Sequence, residues 1–122
     1  RTPLGGIFEN SLAISLLSGE HASKTISTWK KDSISGDEID FIFDYPEYSI
    51  KIPVECKAAT IAKRKHTRNI IKYLEITGQK FGILVSAAPL QIITDTKPYR
   101  ILNIPIYACS KENFQAYYKY YT

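Results

Sequence analysis

The chain has 122 residues, of which 44% are hydrophobic and 23% charged, a balance that predicts one folded domain and excludes wholesale disorder. Sixteen Lys and Arg against twelve Asp and Glu give a net charge of +4, which alone is weak evidence for a polyanionic partner. Two Cys and two His argue against a disulfide scaffold and a zinc site. No apolar run approaches the ~18 residues that span a membrane.

The N-terminal half is predicted to form a helix followed by three strands. The helix covers 4–18, and Glu9 is the only charge on its small and apolar side. Strands are predicted at 24–29, 38–44 and 49–57 from β-branched content and from alternation. A short hairpin connection should place the last two side by side. Pro53, which lacks an N–H, predicts a sheet edge or a bulge.

The C-terminal half is predicted to form a helix, then two strands, then a last helix. A helix covers 58–77 and stops at Gly78, and strands follow at 81–85 and 104–108. A last helix runs from Lys111 to about Tyr121, with Ser110 as its cap and aromatic residues along it. Together the elements predict a small α/β domain with a mixed sheet flanked by helices.

An acidic and basic cluster is predicted on the two neighbouring strands. Asp40 belongs to one face of its strand, and Glu55 and Lys57 share one face of the next. Two carboxylates can hold Mg²⁺, and a nearby ammonium can stabilise charge on phosphoryl oxygens. Glu9 would complete the site if its helix packs beside these strands. The simpler alternative is a surface ion pair, since Glu-X-Lys is common on exposed strands.

The order of these residues resembles a known superfamily. Glu9, Asp40 and Glu55-Cys-Lys57 resemble the PD-(D/E)XK nucleases, which have a restriction-endonuclease-like αβββαβ core. One branch is closer: the C-terminal domain of unknown function appended to many prokaryotic AAA-type ATPases. The segments similar to that branch are Gly6-Ile-Phe-Glu-Asn10, Trp29-Lys30, Gly36-Asp-Glu-Ile-Asp-Phe-Ile42, Ile52-Pro-Val-Glu-Cys-Lys57, Gly82-Ile-Leu-Val-Ser86 and Ile104-Pro-Ile-Tyr107.

The resemblance implies roles for four residues. Asp40 and Glu55 match the metal-binding acids for Mg²⁺ or Mn²⁺, Lys57 the catalytic lysine and Glu9 the acid of the first helix. Ile39 replaces the nominal Pro before the Asp. The resemblance also implies a DNA substrate, a cytoplasmic location, an ATPase domain N-terminal to this one and possible homodimers. On that basis residues 1–122 are expected to be one domain from the C-terminal end of a longer ATPase.

Positive charge is concentrated after the predicted site. Six basic residues and no acids occupy 57–72, so the remainder of the chain carries −2. Such a helix face would grip a phosphate backbone, or it would simply be solvated. The predicted nucleic-acid contacts are Lys63, Arg64, Lys65, Arg68 and Lys72.

Three functions remain open from the sequence. The first is a metal-dependent endonuclease. The second is a catalytically silent nucleic-acid clamp or regulatory tail of an ATPase. The third is a protein-docking domain that uses the aromatic C-terminal helix.

Overall fold

The computed structural model describes residues 26–30, 38–45, 49–109 and 111–122. The predicted N-terminal helix with Glu9, and the predicted cap Ser110, lie outside these ranges. The strands are β1 (Ile26–Lys30), β2 (Glu38–Tyr45), β3 (Ile50–Cys56), β4 (Phe81–Ser86), β5 (Gln91–Ile92) and β6 (Arg100–Pro105), and the helices are α1 (Arg68–Thr77) and α2 (Lys111–Tyr121).

The six strands form one mixed sheet in the order β1-β2-β3-β4-β6-β5. The first three strands make an antiparallel meander, β3, β4 and β6 run parallel, and β5 returns antiparallel to β6. The parallel step from β3 to β4 passes through α1, as parallel neighbours require a crossover. The predicted α/β class with a mixed sheet and flanking helices is confirmed.

Among the described residues, α2 packs on one face of the sheet and α1 on the other. On the first face, Phe114 of α2 meets the ring of Phe43 edge-on, with centroids 5.0 Å apart. Tyr118 meets Phe81 similarly at 5.6 Å. On the second face, α1 buries a separate cluster against the sheet. That cluster consists of Ile42, Ile70, Tyr73, Leu74, Leu84, Ile93 and Ile101.

The contact between α1 and the sheet is close at Gly82. A Cβ atom there would lie 2.4 Å from Cγ2 of Ile70 and 3.5 Å from Cγ of Pro53. Glycine therefore lets the helix approach β4 directly. The same contact shows that Pro53 of β3 is on the α1 face.

The C-terminal stop of α1 is confirmed, but its predicted start is wrong. Gly78 is left-handed, with φ 78°, and its N–H donates to the Leu74 carbonyl. The helix starts at Arg68 after a 3₁₀ turn at Arg64–Thr67. Residues 57–59 instead hydrogen-bond alongside β4: the Lys57 N–H donates to Val85 O, and the Ala87 N–H to Ala59 O.

Three strand predictions also need correction. Pro53 lies in an interior strand opposite Ile42, not at an edge or bulge. It comes immediately before the residues of β3 that pair with β4, so its missing N–H falls where the parallel ladder has not begun. The strand predicted at 104–108 is β6, which starts at Arg100 and ends at Pro105, followed by a 3₁₀ turn. The two-residue β5 was not predicted.

Candidate active site and adjoining basic groove

Glu55 is buried in the middle of the sheet. It is 2% exposed and pairs with Leu84 of β4, which is fully buried beneath α1. Strand alternation puts Glu55 on the same face as Pro53, the face that α1 covers. The sequence predicted a polar sheet surface here; instead, Ile42, Pro53 and Glu55 are all buried on this face because α1 packs over it.

The strand register brings the two predicted acids together along the backbone. Phe41 pairs with Val54, and Ile42 with Pro53. Asp40 and Glu55 are the next residues of the two strands after the Phe41–Val54 pair, where the pairing of β2 with β3 ends. The pairing of β2 with β1 shifts register between Ile42 and Ile39, so side chains do not alternate regularly between the faces at position 40. The side chain of Asp40 lies outside the described side chains, as does Glu9.

Lys57 lies directly after β3 and next to the turn that precedes α1. Its side chain is half-buried, and its backbone is held by the bond to Val85. His66 lies in that turn and accepts a hydrogen bond at Nδ1 from the backbone N–H of Lys63, 3.2 Å away. Partial burial, and then the positive charges of Lys65, Lys57 and Lys63, lower the pKa of His66.

The environment of His66 could be read only in part from the sequence. Its two adjoining lysines are visible in the sequence, but the proximity of Lys57 depends on how β3 leads into the turn. The arrangement makes one small electropositive region out of three lysines and an imidazole. A phosphate anion would be stabilised there.

A groove on the outer side of α1 gathers most of the predicted nucleic-acid contacts. It has a volume of about 470 Å³ and is lined by Arg64, Lys65, Arg68, Ile71, Lys72 and Glu75. The cations outnumber the one acid, and the residues at 65, 68 and 72 follow helical spacing. Lys63 is not part of the lining, and Nε of Arg64 already donates to the Asp95 carbonyl at 2.9 Å.

The cysteines and the C-terminal tyrosines have mainly packing roles. Cys56 and Cys109 are buried on the α2 face, and burial raises the pKa of the Cys109 thiol to about 12. Three tyrosines of α2, at 117, 118 and 121, pack against that core. Tyr107 and Tyr120 remain 88% and 81% exposed.

The described part of the chain shows neither a metal-binding cluster of three ligands nor a membrane-spanning helix. Among those residues, no three His, Cys, Asp or Glu side chains come together as a metal-binding group. The helices of that same part are too short or too polar to cross a bilayer.

Comparison with known proteins gives one family. Searches of curated proteins and of solved structures returned no match. Residues 4–107 match the family described as "Domain of unknown function (DUF4143)". This match spans most of the chain, including the meander, α1, the parallel strands and all four predicted site residues. The chain therefore belongs to the DUF4143 family.

Proposed function

We propose that this domain is a metal-dependent endonuclease of the PD-(D/E)XK type, which hydrolyses phosphodiester bonds in DNA. The observation that carries the proposal is the pairing of β2 with β3, whose last pair, Phe41–Val54, is next to Asp40 on one strand and Glu55 on the other. Lys57 follows directly after β3. The order of three strands, α1 and β4 is also the order expected of the αβββαβ core after its first helix.

The donor set fits a hard divalent cation. Carboxylate oxygens are the ligands that Mg²⁺ and Mn²⁺ prefer, and both candidate ligands are acids. A carboxylate that is 2% exposed, like Glu55, is costly unless a cation, a proton or hydrogen-bond donors compensate it. Mg²⁺ held by Asp40 and Glu55, with support from Glu9, would polarise the phosphate and lower the pKa of a bound water.

The other residues of the site bind and orient the substrate. The Lys57 ammonium would stabilise negative charge on the phosphoryl oxygens. The groove on α1 would hold the phosphate backbone through Lys65, Arg68 and Lys72, and contacts of this kind carry little sequence preference. We further propose that the domain acts as the C-terminal part of a cytoplasmic AAA-type ATPase.

A second candidate function is a catalytically silent nucleic-acid clamp. It is favoured by the contrast between Glu55, which α1 covers, and the exposed cations of the groove. A clamp needs the groove and not the acids. It predicts DNA binding that Asp40→Asn leaves intact or tightens, because an acid near the phosphate has been neutralised.

The deciding experiment is calorimetric titration of Mn²⁺ into the wild-type protein and three variants. Asp40→Asn and Glu55→Gln keep side-chain size and remove the charge, which suits the buried position of Glu55. Glu75→Gln is the matched control, since it removes an exposed acid from the groove. The nuclease proposal expects Mn²⁺ binding that the first two variants abolish and the control retains, together with Mn²⁺-dependent nicking of plasmid DNA.

Circular dichroism of each variant checks that the fold is kept. Absence of Mn²⁺ binding in the folded wild type, or binding indifferent to both substitutions, contradicts the nuclease. DNA binding that persists under that outcome supports the clamp.

A further inference from the structure

A second depression lies at the β5–β6 edge of the sheet. It has a volume of about 670 Å³ and is bordered by the segment 92–100, by Lys80 and by the end of α2. Its charged lining residues are Lys80, Lys97, Arg100 and Asp95, so cations exceed acids three to one. Ile92 of β5, 44% exposed, and Tyr99 contribute apolar surface beside these charges.

The wall of this depression is well ordered by hydrogen bonds. The Tyr99 N–H donates to Thr96 O at 2.9 Å, and the Thr96 hydroxyl donates to Tyr99 O at 3.0 Å. The Arg100 N–H donates to Lys80 O at 2.8 Å. Nζ of Lys80 lies 5.3 Å from the centre of the Tyr99 ring, within the range of a cation–π interaction.

The depression adjoins the basic groove on α1. Arg64, which borders the groove, donates from Nε to the carbonyl of Asp95, which borders the depression. The two concave surfaces therefore meet at this hydrogen bond.

We propose that the depression at the β5–β6 edge binds a single-stranded nucleic-acid segment that extends from a duplex held in the α1 groove. Lys97 and Arg100 contact its phosphates, and the surface around Tyr99 and Ile92 receives an unstacked base. A duplex offers no free base faces, whereas a single strand presents both charge and base surface, the two chemistries that this lining combines. The inference rests on the proposed nucleic-acid substrate and specifies its structure.

The test compares fluorescence anisotropy of a short blunt DNA duplex with that of the same duplex carrying an oligothymidine extension. The wild-type protein should bind the extended probe about tenfold more tightly. Lys97→Gln/Arg100→Gln should lose this gain and still bind the blunt duplex like the wild type, since both side chains are exposed and outside the groove.

Salt dependence and a control pair sharpen the test. The double variant should lower the slope of log K against log salt for the extended probe by about 1.4, from ~0.7 per cation on a single strand. Lys51→Gln/Lys119→Gln removes two charges from exposed lysines outside both depressions, and should keep the gain. An oligouridine extension shows whether DNA and RNA are equally accepted, and tightening by either supports the proposal.

Two outcomes overturn the inference. One is blunt-duplex binding with no gain from either extension, and the other is a gain that Lys97→Gln/Arg100→Gln retains. Neither affects the nuclease proposal, which fails separately if Mn²⁺ does not bind. A wild-type protein that binds none of the probes contradicts both.

Discussion

His66 shows how a single side chain reports on the charge of the candidate site. It lies within the fields of Lys57, Lys63 and Lys65, and its Nδ1 accepts the Lys63 N–H. That bond requires an unprotonated Nδ1, and both burial and the lysines oppose a second positive charge. The folded protein therefore holds His66 neutral at a pH where an exposed histidine is already half protonated.

This lowered pKa gives a pH dependence of stability with a defined sign. The unfolded chain takes up the proton at about 6.5, and the folded state only at lower pH. The stabilisation by neutral His66 is fully present above 6.5 and is lost as pH falls through that value to the lowered pKa. Urea unfolding across this window should show a smaller loss in His66→Asn than in the wild type. Equal losses would contradict the prediction.

At the scale of elements, the approach of α1 to β4 decides how the site face is covered. Gly82 leaves no room for a Cβ against Ile70, which is fully buried. This contact lays the helix over Pro53 and closes the face that carries Glu55. Glu55 shares this face of the sheet, on which Ile42 and Pro53 are also buried.

Substitution of Gly82 should destabilise the protein, and a second substitution at Ile70 should relieve part of this loss of stability. Gly82→Ala places its Cβ against Cγ2 of Ile70, and overpacking of this kind costs about 1–3 kcal/mol. Ile70→Ala leaves a cavity and costs about 2–5 kcal/mol. Because the alanine at 70 removes the clashing atom, the double variant should lose less than the sum. Urea unfolding of all four proteins measures the coupling, and strict additivity would refute the close contact.

Local sequence signals predicted the elements well where local forces decide them. The pairing of β2 with β3 is continuous from residue 41 to residue 45, as the hairpin predicted, although β2 shifts register against β1 before Phe41. Gly78 ends α1 because glycine adopts the left-handed conformation at that position without strain. The predicted start of α1 was wrong, because residues 57–59 hydrogen-bond to the segment at the end of β4, which is distant in the sequence. The same limit applies to the site: the nearness of positions 40 and 55 along the backbone follows from the hairpin, whereas the burial of Glu55 depends on tertiary packing over its face of the sheet.

At the scale of the whole molecule, charge is segregated. The block 57–72 holds six cations while the rest of the chain is at −2, and four of those six line one groove. Mixed charge over the surface would give weak binding to any polyanion. Concentration of four cations along the 3₁₀ turn and the first half of α1 gives a directed surface instead, beside the strands that carry the predicted acids.

Binding of a blunt duplex should therefore depend on salt through this groove. Lys65→Gln/Arg68→Gln removes two exposed cations and should lower the slope of log K against log salt by about 1.8, from ~0.9 per phosphate contact on duplex DNA. The control Lys51→Gln/Lys119→Gln carries the same net charge, so an effect of total charge alone would reduce both slopes equally. Anisotropy titrations at several salt concentrations separate an effect of the groove from an effect of total charge.

Equal slopes in both variants would assign the binding to net charge, and absence of binding at moderate salt would favour a protein-docking domain. A slope reduced only by the groove variant would assign the phosphate contacts to the groove, whether the acids at 40 and 55 take part in cleavage or merely lie beside the strand.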